Sequence, residues 1–323
     1  MKVFVTRKLP EKGLEILYDE CDEVEVYPHD RIPSKEEIIE GLKGKDGLLC
    51  LLTDRIDRDV ISSNPKLRAI SNYAAGYDNI DVDEATRRGI VVTNTPDVLT
   101  NATAELAWAL LFAVARRVVE GDKFTREGKF RGWAPMLLLG KELRGKTLGV
   151  IGAGRIGTAF ALKAKCFDMK GLYYNRSRNE VLEKKLGARK VDLDTLLRES
   201  DFVSIHLPLT EETHHLIDYD KICLMKRDGI IVNTARGAVI KEKDLVRALK
   251  ERKIFGAGLD VYENEPKVSE ELKSLDNVVL LPHIGSATLE TRTEMAVLAA
   301  ENLIKALKGE RPRYCVNPEV FKD

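Results

Sequence analysis

Three residues able to bind an anion or transfer a proton lie in the last third of the 323-residue chain, each shortly after an apolar, strand-like run. They are Arg236, Glu265 and His283. A guanidinium holds an anion with paired donors, and carboxylate and imidazole groups transfer protons. If the runs are strands of one open α/β sheet, their carboxyl ends share the edge where ligands bind. The pattern therefore predicts a reactive site at that edge.

A glycine motif, Gly152-Ala-Gly-Arg-Ile-Gly157, joins an apolar run to an amphipathic stretch that we predict as a helix over 159–167. Its three glycines allow, in order, a tight turn, close approach of the backbone to a pyrophosphate, and close helix–sheet packing. A further strand-like run at 171–174 completes the βαβ setting of a dinucleotide site. The expected cofactor contacts on this turn are Gly152, Ala153, Gly154, Arg155, Ile156 and Gly157.

The end of that second strand indicates which dinucleotide is preferred. NAD sites carry a carboxylate there to accept from the ribose 2′-hydroxyl, whereas this chain has Asn175, Arg176 and Ser177. A guanidinium suits a 2′-phosphate, which a carboxylate would repel. The sequence thus favours NADP(H), with NAD(H) possible if Arg176 only stacks on adenine.

Alternating strands and helices predict a parallel sheet in each half of the chain. The sequence Ser34-Lys-Glu-Glu37 matches a capping box at a helix start, and a helix over 82–88 should end at Gly89. The predicted strands are 3–6, 24–27, 47–52, 69–73 and 90–94 in the first half, and 148–151, 171–174, 202–206, 230–233, 256–259 and 278–281 in the second.

Two long helices are expected to join the halves. The run 101–119 is apolar nearly all round, which predicts a helix buried between two units, and a last helix spans about 289–308. We therefore predict an α/β protein with two doubly wound parallel-sheet domains, a Rossmann domain inserted into a flavodoxin-like substrate domain. The expected boundaries are 1–98, then 99–286 for the dinucleotide-binding domain, then 287–323.

Composition excludes several classes of protein. The 52 Lys and Arg balance 52 Asp and Glu, so no basic face recruits nucleic acid. No apolar window reaches membrane-spanning length, and the start of the chain leaves no room for a signal peptide. Five scattered cysteines predict neither a disulfide framework nor a metal site. We expect a soluble cytoplasmic protein.

The chain resembles the D-isomer-specific 2-hydroxyacid dehydrogenases over essentially its whole length. Besides the glycine motif, Asn233-Thr-Ala-Arg-Gly237, Gly258-Leu-Asp-Val-Tyr-Glu-Asn-Glu-Pro266 and Pro282-His-Ile-Gly-Ser-Ala-Thr288 match that family's motifs. The intervals of 29 residues from arginine to glutamate and 18 from glutamate to histidine also agree. Within the family, the chain is most similar to glyoxylate and hydroxypyruvate reductases, particularly the archaeal glyoxylate reductases.

The resemblance implies roles for the three reactive residues. Arg236 is expected to hold the carboxylate of a small 2-keto acid and polarise its keto oxygen, and His283 to supply the proton as hydride arrives from the nicotinamide. Glu265, which the spacing selects over Glu263, should orient the histidine. His283 and Arg236 are also expected to contact the cofactor. Further cofactor contacts implied are Thr103, Thr234, Ala235, Asp260 and Gly285, and further substrate contacts are the backbone of Ala75 and Gly76.

Assembly and exact activity stay open. The apolar helix and the run Trp133–Leu139 predict a homodimer, and Trp133 either reaches the partner's substrate pocket or is an ordinary interface aromatic. Alternative functions are another D-2-hydroxyacid dehydrogenase, of the D-lactate or 3-phosphoglycerate type, or a non-catalytic dinucleotide sensor similar to some corepressors.

Overall fold

A computed structural model describes residues 1–321 and divides the chain into two compact α/β units. One unit is residues 1–99 with the segment that starts at Ser286, and the other is Thr100–Gly285. The two last residues of the predicted segment 287–323 lie outside the described residues. Within those described, no helix combines the length and the apolar character that a bilayer crossing requires.

The first unit is a five-stranded parallel sheet with the order β2-β1-β3-β4-β5. This is the flavodoxin-like order predicted for it. Its elements are β1 (Lys2–Val5), α1 (Glu11–Glu20), β2 (Glu23–Val26), α2 (Lys35–Gly41), β3 (Gly47–Leu51), α3 (Arg58–Ser62), β4 (Ala69–Tyr73), α4 (Val82–Arg87), β5 (Val91–Thr93) and, from the end of the chain, α13 (Leu289–Leu307).

Local signals place the helix ends of this unit. The Ser34 side chain accepts from the backbone N–H of Glu37, and the Glu37 carboxylate accepts from the N–H of Ser34, so the predicted capping box is confirmed. Helix α4 ends before Gly89, whose φ of 69° lies in the left-handed region that favours glycine. Helix α13 packs on α1 and β4, and Gly13 makes this possible because a Cβ there would collide with Ala296.

The second unit is a seven-stranded parallel sheet with the order β12-β11-β10-β9-β6-β7-β8, a Rossmann order with one added strand. Its elements are α5 (Thr100–Ala115), α6 (Val118–Arg126), β6 (Thr147–Ile151), α7 (Arg155–Lys163), β7 (Lys170–Tyr174), α8 (Glu180–Leu186), β8 (Arg189–Lys190), α9 (Leu193–Glu199), β9 (Phe202–Ile205), α10 (Tyr219–Cys223), β10 (Ile230–Asn233), α11 (Glu242–Lys250), β11 (Gly256–Leu259), α12 (Glu270–Lys273) and β12 (Val278–Leu280).

Helix α5 is buried on this sheet, against α7, β10 and β11. Its Trp108 stacks on Phe160 with ring centroids 5.0 Å apart and donates an indole hydrogen bond to the Phe160 carbonyl at 2.9 Å. Gly258 in β11 lets the helix approach, because a Cβ there would lie 3.1 Å from Leu110. The aromatic stack fixes α5 to the helix that follows the glycine turn.

Two predicted helix boundaries were wrong. The apolar helix predicted over 101–119 ends at Ala115, whose carbonyl accepts from the backbone N–H of Lys141, and Arg117 turns into the left-handed region (φ 53°) before α6 starts. The helix predicted over 159–167 begins at Arg155, so Gly157 lies inside it, and residues 164–167 form a 3-10 turn.

Candidate active site

Arg236 lies on a tight turn at the carboxyl end of β10. The buried Asn233 side chain closes this turn, since its Nδ2 donates to the Arg236 carbonyl at 2.9 Å and its Oδ1 accepts from the N–H of Ala235 at 3.0 Å. The guanidinium is half-buried and donates through Nη1 to the Ala235 carbonyl at 2.9 Å. Asn233 therefore fixes the backbone from which Arg236 projects.

The loop after β11 packs directly against this turn. A Cβ at Gly237 would collide with the backbone of Tyr262, so only glycine lets the two segments approach this closely. Within the loop, Glu265 Oε1 accepts from the backbone N–H of Tyr262 at 2.9 Å. The Tyr262 hydroxyl donates to the Leu281 carbonyl at 2.8 Å and so ties the loop to the end of β12. Neighbouring strand ends thus hold the predicted arginine and glutamate near each other.

His283 is hydrogen-bonded to Glu265. Its Nδ1 lies 2.8 Å from Glu265 Oε2, and the two side chains are 26% and 29% exposed. Burial would raise the pKa of Glu265, but the bond to His283, the imidazole charge, the Tyr262 N–H and the nearby Arg236 together lower it. The carboxylate is therefore held ionised. Because it engages Nδ1, Nε2 is the ring nitrogen that remains for proton transfer to a substrate.

Glu263 has different partners from Glu265. Its Oε1 lies 2.9 Å from His215 Nε2, and its Oε2 accepts from the backbone N–H of Glu242 at 2.9 Å. In return, the N–H of Glu263 donates to Glu242 Oε2 at 3.2 Å. Glu263 thus cross-links the loop after β11 (residues 260–266, the acidic loop) to the start of α11 and to the loop after β9.

A buried polar corner lies beside His283. Asp260 is fully buried, and its Oδ1 accepts from the N–H of Ile284 at 2.8 Å, whereas its Oδ2 has no hydrogen-bond partner within residues 1–321. Burial raises the pKa of this carboxyl group. A Cβ at Gly285 would lie 3.3 Å from Asp260 Oδ2 and 3.5 Å from Thr103 Oγ1, so the predicted contacts Asp260, Gly285 and Thr103 adjoin. The buried Thr234 hydroxyl is also unpartnered in the described chain.

The glycine turn has the shape of a phosphate site. Gly152 adopts φ 93°, and a Cβ on Gly157 would collide with the Gly152 carbonyl, so neither position accepts a side chain. A Cβ on Gly154 would meet nothing within 4 Å, which leaves room at the start of α7 for an anion. Asn179 braces the turn because its Nδ2 donates to the Ala153 carbonyl at 2.9 Å.

These observations fit a nicotinamide dinucleotide. The turn leads into the N-terminus of α7, where backbone N–H groups would hold a pyrophosphate. The unpartnered Asp260 and Thr234 oxygens are buried, which is costly unless a ligand supplies partners.

At the end of β7, the Asn175 amide donates to the carbonyl (3.1 Å) and hydroxyl (3.3 Å) of Ser177, while Arg176 is exposed.

The other predicted substrate contacts are divided between the two units. Ala75 and Gly76 follow β4 in the first unit, where their carbonyls accept from Asn94 (2.6 Å) and Asn72 (2.8 Å). Neither of their N–H groups donates a hydrogen bond within residues 1–321, so both can serve an anion. Trp133 belongs to the second unit and is 85% exposed.

Four residues that shape the site were not predicted as site residues from the sequence. Asn233 holds the Arg236 turn, Glu263 and His215 brace the acidic loop, and Lys190 of β8 donates to the Arg176 carbonyl at 2.9 Å. The motif stretch 233–237 already contained Asn233, and a strand-end asparagine before a turn is the available signal for it. The other three act through contacts between distant segments, for which a single sequence has no signal.

Known proteins resemble this chain in sequence and structure. Residues 108–285 match the family described as D-isomer specific 2-hydroxyacid dehydrogenase, NAD binding domain. A glyoxylate reductase of Thermococcus litoralis is 52% identical, covering 99% of this chain and 98% of that protein.

Two solved structures extend the likeness to the fold. A protein from Thermus thermophilus superposes with a TM-score of 0.91 at 45% identity, covering 98% of this chain and all of that one. An NADPH-dependent glyoxylate/hydroxypyruvate reductase from Sinorhizobium meliloti, solved with NADP and malonate, has a TM-score of 0.89 at 32% identity, covering 100% and 98% of the two chains.

Proposed function

The chain belongs to the D-isomer specific 2-hydroxyacid dehydrogenase family and is an NAD(P)-dependent oxidoreductase, and we propose that it reduces glyoxylate or hydroxypyruvate to the corresponding 2-hydroxy acid. The observation that carries the proposal is the Glu265–His283 pair at 2.8 Å beside the Arg236 turn. Relatives at 52% and 54% identity are glyoxylate reductases, which supports the choice of substrate.

His283 is the proposed proton donor. Glu265 accepts at Nδ1, so the proton to be transferred resides on Nε2 and passes to the keto oxygen as that oxygen gains negative charge. When bound, the reduced nicotinamide supplies the hydride, and the keto acid, one hydride and one proton together make the hydroxy acid. Glu265 stays ionised and stabilises the imidazolium before the transfer.

Arg236 is the proposed substrate clamp. Its planar fork can bind the substrate carboxylate and polarise the keto oxygen. The family resemblance also supports the backbone of Ala75 and Gly76, in the first unit, as a proposed substrate contact. A small 2-keto acid carries both groups on adjacent carbons, which fits this set of donors.

The cofactor is proposed to be NADP(H), with NAD(H) also accepted. The glycine turn, Thr103 and the Thr234–Ala235 backbone would hold its phosphates and ribose, and Asp260 with Gly285 and His283 would hold the nicotinamide end. The preference rests on Asn175, Arg176 and Ser177, which place no carboxylate against a 2′-phosphate. The structure of the Sinorhizobium meliloti reductase contains NADP, which supports this choice.

We further propose a cytoplasmic homodimer. Seven large apolar side chains between residues 118 and 139 are more than a third exposed, a concentration that suits a self-association surface. They are Val118, Val119, Phe130, Trp133, Met136, Leu137 and Leu139. Whether Trp133 reaches the substrate pocket of the partner is tested by measuring the activity of mixed dimers formed from Trp133→Ala and His283→Ala subunits. All five cysteines are free, which suits a reducing compartment.

A substrate panel tests the activity. Consumption of NADPH and of NADH is followed with glyoxylate, hydroxypyruvate, pyruvate and 3-phosphohydroxypyruvate at matched concentrations. We expect the highest kcat/KM with one of the first two acids and NADPH. A preference for pyruvate or the phosphorylated acid would reassign the enzyme to the D-lactate or 3-phosphoglycerate type, and binding of dinucleotide without turnover of any acid would indicate a sensor.

A further inference from the structure

A cavity of about 720 Å³ opens at the outer edge of the seven-stranded sheet, beside the carboxyl ends of β7 and β8. Its lining includes Tyr174 and Asn175 from the end of β7 and three basic residues, Arg178, Arg189 and Lys190. It therefore continues directly from the segment that we propose to bind the cofactor's 2′-phosphate.

Two of the three basic residues are already neutralised. Arg178 forms a two-pronged ion pair with Glu183, at 2.6 and 3.2 Å, and Arg189 pairs with Glu199 at 2.6 Å. The acidic lining residue Asp192 is also engaged, as the cap of α9, where it accepts from Thr195. None of these charges needs a ligand.

Lys190 is the exception. The only hydrogen bond of its ammonium group within residues 1–321 runs from Nζ to the Arg176 carbonyl at 2.9 Å, and this ammonium forms no ion pair with a carboxylate of the described chain. The parallel pairing of β7 with β8 sets Lys190 opposite Tyr173, two residues before Asn175. An ammonium has three donors, so two remain for an anion that lies beside Arg176.

We propose that Lys190 is a second cationic contact for the 2′-phosphate of NADP(H) and so a determinant of cofactor preference. The proposal rests on the proposed cofactor function of the same site. Lys190 orders the backbone of the Arg176 segment and supplies a charge-assisted donor from the edge strand. A dianionic phosphate next to Arg176 and Lys190 meets two positive charges, whereas a free 2′-hydroxyl gains little from either.

Direct binding of adenine nucleotides tests this without turnover. Calorimetry compares adenosine 2′,5′-bisphosphate with adenosine 5′-monophosphate, and NADPH with NADH, on the wild type and on Lys190→Met, which keeps the aliphatic stem. We expect Lys190→Met to lower the affinity for the two 2′-phosphorylated ligands about fivefold and to leave the affinity for the other two unchanged. The effect is modest because the ion pair is exposed and partly screened by solvent. Raising the salt concentration should shrink the difference between wild type and variant.

Two variants serve as controls. Lys185→Met removes an exposed lysine of α8 that does not line the cavity, and it should change none of the four affinities. Lys190→Arg keeps the charge and should retain most of the affinity for the bisphosphate.

The outcomes separate this inference from the proposed preference. Equal affinities of the wild type for NADPH and NADH would overturn the preference, while a selective loss in Lys190→Met would still support the role of Lys190. If the wild type prefers NADPH and Lys190→Met keeps the same ratio, the role of Lys190 is wrong and the preference stands. Equal losses of affinity for ligands with and without the 2′-phosphate would also overturn the role of Lys190 as a phosphate contact, because Lys190 would then only support the loop.

Discussion

The carboxyl edge of the seven-stranded sheet has two ends that are built differently. At the β10–β12 end, each functional carboxylate accepts a hydrogen bond from the backbone of a neighbouring segment: Glu265 from Tyr262 and Asp260 from Ile284. At the β7–β8 end, Arg176 and Lys190 are exposed. The first end is cross-linked and the second is open to solvent.

This difference separates reaction chemistry from cofactor choice. Proton transfer and substrate clamping require atoms held to a fraction of an ångström, which buried backbone hydrogen bonds provide. Selecting a 2′-phosphate requires only charge near an exposed position, and exposed charges can be exchanged without disturbing the core. We therefore expect mutations at the first end to impair kcat, and mutations at the second to change the ratio of cofactor affinities.

The largest expected effect is the loss of the proton donor. His283→Ala should lower kcat by about 10²- to 10⁴-fold, because general acid catalysis contributes that much, while dinucleotide binding should stay close to that of the wild type because the other cofactor contacts remain. His283 has a backbone φ of 53°, so His283→Asn is the matched control, since asparagine tolerates this conformation but donates no such proton. Both variants should be equally impaired in steady-state assays. Turnover near wild type in either would move the role to another residue.

The next effect concerns the substrate clamp. Arg236→Lys should lower kcat/KM by about 10²-fold, because an ammonium cannot reproduce the planar fork or both of its donors. Binding of adenosine 5′-monophosphate, measured by calorimetry, should be unaffected. An unchanged KM and kcat for the 2-keto acid would exclude Arg236 as the clamp.

An intermediate effect tests the cross-link itself. Glu263→Ala removes the acceptor for Glu242 and His215, and the loosened acidic loop should lower kcat about tenfold with little change in cofactor affinity. Glu263→Gln keeps an oxygen for the Glu242 N–H and should restore most of the rate. If Glu263→Ala turns over like the wild type, the rigidity of this end does not serve the reaction.

Features that depend on nearby residues could be predicted from the sequence. The predicted strands fall within a residue or two of their observed bounds, whereas the two-residue strand β8 was not predicted. The glycine turn and the Ser34 capping box follow from local backbone requirements. The two sheet orders agree with the predicted fold class.

Features that depend on contacts between distant segments could not be predicted from the sequence. The apolar helix ends at Ala115 because the Ala115 carbonyl accepts from the N–H of Lys141, a residue 26 positions away in the chain. The start of α7 was missed because Gly157 weakens the local helix signal, although the turn requires it inside the helix. Lys190 meets Arg176 only through the pairing of β7 with the two-residue strand β8, which is too short to give a hydrophobic pattern. The Glu263–His215 contact likewise joins segments far apart in the chain.

The smallest expected effect on kcat is at the open end, where a mutation should shift cofactor preference and leave the rate of the chemical step intact. Asn175→Asp places a carboxylate where a 2′-phosphate would lie, so it should lower the NADPH-to-NADH ratio of kcat/KM by about tenfold or more, by repelling the phosphate and accepting from a free 2′-hydroxyl. Asn175→Ala is the matched control, because it loses the same amide donors to Ser177 without adding charge. The kcat with saturating NADH should equal that of the wild type in both variants. A fall in that kcat would show that the two ends of the sheet are coupled, and an equal shift in both variants would mean that loop order rather than charge selects the cofactor.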